Sequence, residues 1–349
     1  MPQIAKPITL NDLPAPPPGK VGWPWTKQSD PVGDRMADGS EWPRISIVTP
    51  SYNQGQFIEE TIRSVLLQGY PNLEYIIIDG GSTDQTLDVI KSYETWLSFW
   101  CSEPDNGQTD AINKGFGYCK GDIFTWLNSD DVYKHSNVLK TLANLYQDGC
   151  EFIVGQCEYV NLTKQKISKE FNRKALPVDF ERYLRHWSCS ILHQPSVFIS
   201  MAIAKSCFPL DIHLHSSMDY QFFLRALRKK PKSAWLDDIL TKAYLHEGNK
   251  TISKQPKLSE RFKIAFDESE SLPALNRLTY RLCLEDVRQM KLLLSQKNFP
   301  SPAGLSSALI RRPSLLRWPL FWKMMTKSLM GDDFYARLKK SLKSCLIKN

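Results

Sequence analysis

Short apolar runs alternate with helical patterns between residues 45 and 127, and this alternation restricts the folds open to the chain. Four runs predict buried strands: ISIVT (45–49), EYIIID (74–79), LSFWCS (97–102) and DIFTWL (122–127). Helices are predicted from the spacing of Ile58, Ile62, Val65 and Leu66, from a Ser82/Gln85 capping box through Lys91, and near 109–117. Strands alternating with helices predict an α/β fold, with a mostly parallel sheet covered by helices on both faces.

Polar clusters follow three of the predicted strands, at 49–53, 79–84 and 128–131. In open α/β sheets, ligands bind beyond the carboxyl ends of the strands, so we expect these clusters to converge on one crevice. A carboxylate at Asp79 can accept the N–H of a pyrimidine base, and Gly80-Gly81 lets the backbone approach a ligand closely. The sequence therefore predicts a nucleotide site at this edge.

Two adjacent carboxylates, Asp130 and Asp131, end the last of these strands in TWLNSDDVY. Oxygen ligands without a neighbouring His or Cys suit Mg²⁺ or Mn²⁺, which take further ligands from substrate phosphates. The alternative is a solvated turn in which Asp130 caps the following segment.

The net charge of +8 is concentrated at the C-terminus of this 349-residue chain. Residues 301–349 hold ten Lys or Arg against Asp332 and Asp333, so positions 1–300 are balanced. This distribution is not that of a uniformly basic nucleic-acid binder, and we expect no nucleic-acid partner. Hydrophobic content of 42% and charged content of 23% are typical of a soluble globular protein.

The eight cysteines include no C-x-x-C pair, which predicts reduced thiols and neither a zinc site nor a disulfide scaffold. The N-terminus lacks the pattern of a secretory signal, and no run of 18 apolar residues is present to span a bilayer. We expect a cytoplasmic protein, in which the sequons at Asn161 and Asn249 are chance matches.

Amino-acid composition and hydrophobic pattern divide the chain into three parts. Residues 1–43 are rich in Pro and Gly and predict an extended arm, with Trp23 and Trp25 docked on the body. Residues 44–256 form the predicted α/β domain, with a nucleotide-binding half (44–135) and a second half (136–256). Residues 257–349 predict a helical, basic extension.

The extension mixes Lys and Arg with Trp318, Phe321 and Trp322. Basic segments with aromatic residues bind the headgroup region of anionic membranes, which would place the protein on the inner face of the plasma membrane. An equally good interpretation is a helical subdomain packed on the body.

Three segments together resemble the family 2 glycosyltransferases of the GT-A fold, inverting and of bacterial type. They are SIVTPSYNQGQFIEETIRSVLLQGYPNLEYIIIDGGSTDQT, SEPDNGQTDAINKGF and GDIFTWLNSDD, and the resemblance runs from about Ile45 to Lys254. It implies a GT-A domain that transfers a sugar from a UDP-, dTDP- or GDP-linked donor, with Mn²⁺ or Mg²⁺ as cofactor.

The resemblance also implies roles for individual residues. Residues matching the nucleotide-sugar site are Thr49, Pro50, Tyr52, Asn53, Asp79, Gly81, Ser82, Asp110, Asn113, Asn128 and Ser129. Residues matching the metal site are Asp130, Asp131 and His246, with Asp130 as the direct ligand. Asn128 departs from the family, which more often has Asp there, and Tyr244 replaces an Arg usually found two residues before the histidine.

On the acceptor side, HLHSSMDYQFFLRAL resembles an acidic motif that opens a helix, making Asp219 the candidate catalytic base. The alternative for Asp219 is a helix cap. His193 in HQPSVF resembles a segment near the acceptor, and a structural role is equally compatible with it.

The function so implied is transfer of a sugar to a hydroxyl of a glycan or lipid-linked acceptor, in cell-surface polysaccharide or glycolipid synthesis. A divalent ion neutralises the diphosphate leaving group, and one carboxylate takes the acceptor proton. The second hypothesis is a catalytically lapsed protein that binds a nucleotide sugar or glycan. A nicotinamide-dependent oxidoreductase is disfavoured because the Gly115-Phe116-Gly117 stretch closes a helix and lacks the third glycine.

Overall fold

The computed structural model describes residues 7–162, 177–187, 191–214, 216–246, 249 and 258–294. The chain divides into two compact units, Met1–Arg261 and Phe262–Asn349. The described strands are β1 (Ile45–Ser51), β2 (Leu73–Asp79), β3 (Phe99–Ser102), β4 (Ile123–Trp126), β5 (Asp131–Tyr133), β6 (Phe152–Val160), β7 (Val197–Ser200) and β8 (Ser233–Tyr244). The described helices are α1 (Ile58–Leu66), α2 (Thr86–Ser92), α3 (Gln108–Phe116), α4 (Val138–Gln147), α5 (Phe180–Arg185), α6 (Met201–Cys207), α7 (Met218–Arg228), α8 (Leu258–Glu268) and α9 (Ala274–Leu294).

The described strands form one sheet in the order β3-β2-β1-β4-β7-β6-β8-β5. Strands β1 to β4 run parallel to one another, as predicted from the alternating pattern. Strand β7 is antiparallel to both β4 and β6, and β5 is antiparallel to β8. The predicted α/β fold is confirmed, with a mixed second half that the sequence did not predict.

Helix α1 shows why the hydrophobic spacing was informative. Ile58, Ile62 and Val65 are fully buried on its inner face, as the periodicity predicted. The predicted capping box before α2 is wrong, because Gln85 is the N-cap and its side chain makes no capping hydrogen bond. The hydroxyl of Ser82 instead donates to Asp79.

The N-terminal arm is anchored by a buried arginine of α1. The Arg63 guanidinium is fully buried and donates to the carbonyls of Pro14, Pro24 and Trp25 at 2.9–3.2 Å, and to the Tyr93 hydroxyl at 2.9 Å. It also lies over the Trp25 ring, 5.4 Å from the centroid. Backbone carbonyls of the arm therefore supply most of the hydrogen bonds that make this buried charge tolerable.

The predicted docking of both tryptophans on the body is confirmed. Trp25 is only 2% exposed, and the Trp23 indole N–H donates to the carbonyl of Tyr133 at 2.7 Å. The predicted boundaries after residues 43, 135 and 256 stay predictions. Within the described part of the chain, the helices are all too short or too polar to cross a membrane. The basic tail (301–349) lies outside the described residues.

Candidate active site

Three neighbouring strands end in lateral register at one edge of the sheet. Ser51 of β1 pairs with Asp79 of β2, which pairs with Ser102 of β3. The next residues continue the contact, since the Gly80 N–H donates to the Ser51 carbonyl at 2.8 Å. The polar clusters predicted to follow β1 and β2 are therefore adjacent.

The loop after β1 exposes one aromatic ring. Tyr52 is 60% exposed, whereas Thr49 and Pro50 are buried within the strand. The Thr49 hydroxyl lies 3.1 Å from the hydroxyl of Tyr75 in the core. Of these three predicted nucleotide-site residues, Tyr52 is therefore the one whose side chain is open to a ligand.

Asn53 connects this loop to the end of β2. It adopts a left-handed φ of 51°, and its N–H donates to the Ser82 hydroxyl at 2.7 Å. Its side-chain oxygen accepts from the Thr83 N–H at 2.9 Å. Asn tolerates this backbone conformation better than most residues, so the two loops are held together at little conformational cost.

Asp79 is fully buried and its carboxylate is occupied by the chain itself. One oxygen accepts from the N–H groups of Gly81 (3.1 Å) and Ser82 (2.8 Å) and from the Ser102 hydroxyl (2.6 Å). The other accepts from the Ser82 hydroxyl at 2.5 Å. These four donors order the turn around Gly81, whose φ of +81° favours glycine.

Helix α3 brings Asp110 and Asn113 to the same edge, but both side chains are engaged locally. Asp110 accepts from the backbone and side-chain N–H groups of Asn106 at 3.0 and 3.1 Å. Asn113 makes a two-way pair with the backbone of Leu210, at 2.8 and 2.9 Å. Their observed contacts stabilise loops beside the crevice.

Asn128 is the centre of a polar network after β4. Its side-chain oxygen accepts from the Gln108 amide at 2.6 Å, and its amide nitrogen donates to Asp131 at 2.9 Å and to Gln194 at 3.3 Å. The neighbouring Ser129 is buried, and its carbonyl accepts from the Thr61 hydroxyl at 2.9 Å. An amide can donate and accept at once, which a carboxylate in place of Asn128 could not do.

The two adjacent carboxylates face different surroundings. Asp131 begins β5, is 5% exposed and accepts from Asn128. Burial, together with the neighbouring charge of Asp130, raises its pKa well above the usual range. Asp131 therefore lies within the protein interior and does not share one solvent-facing site with Asp130.

Asp130 is held by two residues that follow β8. Its Oδ2 accepts from the Asn249 amide at 2.6 Å and lies 3.2 Å from His246 Nε2. The His246 ring stacks on Phe57 with centroids 4.5 Å apart, which fixes the plane of the imidazole. The two groups predicted to lie near a metal are thus in direct contact.

Tyr244 stands where the resemblance implies an arginine, and its side chain does not replace that cation. It is 5% exposed, and its hydroxyl donates to Glu60 at 2.9 Å. Burial and the Glu60 charge raise the pKa of the Tyr244 phenol, so it stays neutral. A phenol has no cationic form, so Tyr244 offers no positive charge to a diphosphate.

Asp219 lies in the first turn of α7, where Ser217 is the N-cap residue. One carboxylate oxygen accepts from the Tyr220 N–H at 2.7 Å, and the other accepts no hydrogen bond from the described residues. Burial raises the pKa of nearby Tyr159, and the charges of Cys157, Asp131 and Asp219 add to the effect. The Tyr159 hydroxyl lies 3.3 Å from His193 Nδ1, and Asp219 is close enough for its charge to act on that phenol.

Two contacts connect the loop after β4 with the start of α7. Gln108 donates to Asn128, and its neighbour Thr109 contacts Met218 through a 2.7 Å hydroxyl–sulfur approach. Met218 immediately precedes Asp219. The loop after β4 and the start of α7, which carries Asp219, are thus linked through the first two residues of α3.

A divalent ion has two suitable protein donors here, the Asp130 carboxylate and the His246 imidazole. Asp131 does not fit as a third, since its carboxylate is buried against Asn128. Among the residues that the structure describes, no group of three or more His, Cys, Asp or Glu side chains is arranged to hold a metal ion. An ion here would therefore complete its shell from substrate and water.

Sequence reasoning missed the residues that organise the site. They are Phe57, Gln108, Gln194 and Asn249. Gln194 adjoins the noted His193, and Asn249 was interpreted only as a chance sequon. For Gln194 and Asn249, the short distance in sequence from His193 and from His246 was the one available signal. The residues that all four contact are distant in the sequence.

Comparison with known proteins agrees with the fold and the strand-end motifs. The sequence model of Glycosyl transferase family 2 matches residues 46–208. In the crystal structure of S. aureus TarS 1-349 in complex with UDP-GlcNAc, 92% of that chain superposes on 86% of this one, with a TM-score of 0.59 and 20% identity. The fold is therefore that of the GT-A glycosyltransferases.

Relatives in sequence point the same way. An uncharacterized glycosyltransferase of Rickettsia typhi is 26% identical over 233 residues, covering 64% of this chain and 71% of the relative. Another, of Mycobacterium tuberculosis, is 29% identical over 196 residues, covering 53% and 69%. Bacillus subtilis TuaG, named for a proposed role in teichuronic acid biosynthesis, is 36% identical over 113 residues, covering 32% and 45%. Residues 46–208 match the family 2 glycosyltransferases, and the relatives agree that the chain is a glycosyltransferase.

Proposed function

We propose that the chain is an inverting, metal-assisted enzyme that moves a sugar from a UDP-, dTDP- or GDP-linked donor to a hydroxyl of a glycan or lipid-linked acceptor. The observation that carries this proposal is a pair of carboxylates, Asp130 and Asp219, in two segments that contact the same end of α3. Asp130 is held by His246 and Asn249, and Asp219 keeps one oxygen without a hydrogen-bond donor in the described structure.

The donor nucleotide is proposed to lie over the ends of β1 and β2. The exposed ring of Tyr52 offers a stacking face for a base, and the Asn53–Ser82 bond closes the loops beneath it. TarS has been crystallised with UDP-GlcNAc and with UDP, which supports a uridine nucleotide here. The name of TuaG supports an acceptor in cell-surface polysaccharide synthesis.

Asp130 and His246 are the residues that would hold the divalent ion. When bound, the ion neutralises charge that develops on the diphosphate leaving group. Asn249 and Phe57 fix the two side chains, while Asn128 and Asp131 hold the loop behind them.

Asp219 is the proposed base, because its position in the first turn of α7 leaves one oxygen available to an acceptor hydroxyl. It removes the proton as the hydroxyl oxygen attacks the anomeric carbon. A single displacement inverts the configuration at that carbon and requires no second carboxylate as nucleophile.

A panel of nucleotide sugars tests this proposal. The protein is assayed by thermal shift and by release of nucleoside diphosphate, with UDP-, dTDP- and GDP-linked sugars, each with Mn²⁺ and with EDTA. We expect at least one donor to raise the melting temperature and to be slowly hydrolysed with Mn²⁺, with inversion visible by NMR of the released sugar. If no donor stabilises the protein or is turned over, the proposal is wrong, and retention of configuration would contradict the single displacement.

A further inference from the structure

We infer that Asp105, and not Asp79, is the carboxylate that reads the nucleotide base, and that it selects a base presenting a ring N–H. The inference rests on the proposed function and identifies a specificity residue for the same donor site. Uracil, thymine and guanine carry such a hydrogen on the ring nitrogen of their pairing edge, whereas cytosine and adenine have an acceptor there.

Asp79 has no capacity left for a ligand. An ionised carboxylate offers about four lone-pair sites. The side chain of Asp79 is fully buried, and its two oxygens accept from four donors supplied by Gly81, Ser82 and Ser102. A base that bound Asp79 would have to displace one of these bonds and open the turn that they hold together.

The carboxylate of Asp105 lies against Gly80, the glycine that follows Asp79. A Cβ placed on Gly80 would lie 2.8 Å from Asp105 Oδ2 and 3.1 Å from both Oδ1 and Cγ. The carboxylate of Asp105 therefore occupies the space that a side chain at position 80 would take. The strand-end position that lacks a side chain of its own is provided with a carboxylate from the segment after β3.

The carboxylate of Asp105 is held in place and still has one oxygen that can accept a hydrogen bond. Its Oδ1 accepts from the Gly107 N–H at 2.7 Å, in a turn where Gly107 adopts a φ of +100°. Its Oδ2 accepts no hydrogen bond from any residue in the described ranges, and the side chain is partly exposed. One anionic acceptor is thus held in place with room for a donor.

The exposed ring that neighbours Gly80 is that of Tyr52. Ser51, Asp79 and Ser102 are in lateral register, so Tyr52 and Gly80 follow at adjacent strand ends. A base stacked on Tyr52 would turn its edge along the sheet toward Gly80, where the Asp105 carboxylate lies. A carboxylate only accepts hydrogen bonds, and a site built to bond an N–H strongly rejects analogues that lack it.

The test measures nucleotide binding by calorimetry in the full chain with Mn²⁺, using UDP, dTDP, GDP, CDP and ADP as probes. We expect the wild type to prefer at least one of the first three over CDP and ADP. Asp105→Asn should weaken binding of that nucleotide by roughly tenfold or more, because a bond to a charged acceptor becomes a bond to a neutral one. It should also lower the ratio of the affinity for UDP to the affinity for CDP, since an amide can donate to the ring nitrogen of cytosine.

Two further variants separate this inference from the alternatives. Gly80→Ala keeps all charges but pushes the Asp105 carboxylate from its place, so it should cause a similar loss of discrimination. Asp79→Asn should lower the melting temperature, whereas Asp105→Asn should leave it unchanged. The charge-matched control is Asp34→Asn at an exposed arm position, where binding should equal wild type.

The outcomes distinguish a failure of the inference about Asp105 from a failure of the proposed function. Wild-type preference with unchanged binding in Asp105→Asn and Gly80→Ala would overturn the inference and leave the proposed function standing. Selective loss of binding in Asp79→Asn at an unchanged melting temperature would also overturn it, in favour of Asp79. If the wild type bound none of the five nucleotides, both the proposed function and this inference would be wrong.

Discussion

Replacing the buried arginine of α1 should detach the N-terminal arm and cost a large part of the stability of the protein. In Arg63→Met the apolar stem is kept, while three arm carbonyls and the Tyr93 hydroxyl lose their donor. Each hydrogen bond to a charged group contributes about 1.5–3 kcal/mol, but the carbonyls regain water if the arm lifts. No charge is left behind in the core, because the partners are carbonyls and a phenol. Each partner that stays buried without its donor costs about 1–3 kcal/mol, so we expect a total loss of roughly 3–5 kcal/mol.

Urea denaturation of the variant measures the loss, and hydrogen exchange of the backbone at residues 14–25 reports the release of the arm. The matched control is Arg35→Met, an exposed arginine of the same arm whose partner Glu41 is 3.9 Å away. Such surface pairs contribute about 0–1 kcal/mol, so its effect should be small. A loss below about 1 kcal/mol in Arg63→Met, with arm protection unchanged, would refute the reasoning, because the arm would then be held by other contacts.

Three further predictions concern donor, acceptor and membrane. Asp130→Ala should abolish metal-dependent donor binding at an unchanged melting temperature, and calorimetry showing equal donor affinity with Mn²⁺ and with EDTA in both proteins would contradict the metal site. Asp219→Asn keeps the size of the side chain but removes its basicity, so transfer should fall by roughly 10² to 10⁴ while donor affinity persists. Transfer within a few fold of wild type would leave Asp219 a structural residue. The basic tail should bring the protein to anionic vesicles in a salt-sensitive manner, since each basic residue near the surface contributes roughly 1 kcal/mol. Co-sedimentation that is equal for the full chain and for one ending at residue 300 would rule this out.

Asp148→Asn is the matched control for the two carboxylate variants. Asp148 is exposed at the end of α4, and its replacement by Asn removes the same charge as the other two substitutions. It should bind donor and transfer sugar as the wild type does. For the tail, neutral vesicles are the control, because they keep the apolar contribution and remove the electrostatic one.

The first half of the fold was predictable because its signals are local. Strands β1 and β2 are buried apolar runs, and α1 carries its fully buried face at helical spacing. The mixed second half was not, since β5 has only three residues and acquires its partner from β8 more than a hundred positions later. Pairing at such separations depends on tertiary packing that no short window of sequence contains.

The same distinction applies to the site. The proposed chemistry of Asp130 and Asp219 was inferred from residue type and from family resemblance, and in the structure their segments are linked through Gln108 and Thr109. The different partners of Asp130 and Asp131 could not be inferred, because they are Asn249 and Asn128, which a short window of sequence does not identify as contacts. Side-chain direction at a strand start follows from register, and register was set by the unpredicted pairing with β8.

The amide at position 128 has an evolutionary consequence. Asn128 accepts from Gln108 and donates to the buried Asp131, so its two ends depend on two other residues. Replacing it by Asp would leave Asp131 without its donor and place another carboxylate beside Asp130 and Asp131. A double-mutant cycle of Asn128→Asp with Asp131→Asn would measure this dependence as a coupling free energy. The order in which such a lineage can exchange these residues is therefore constrained, because each intermediate must keep the interior carboxylate partnered.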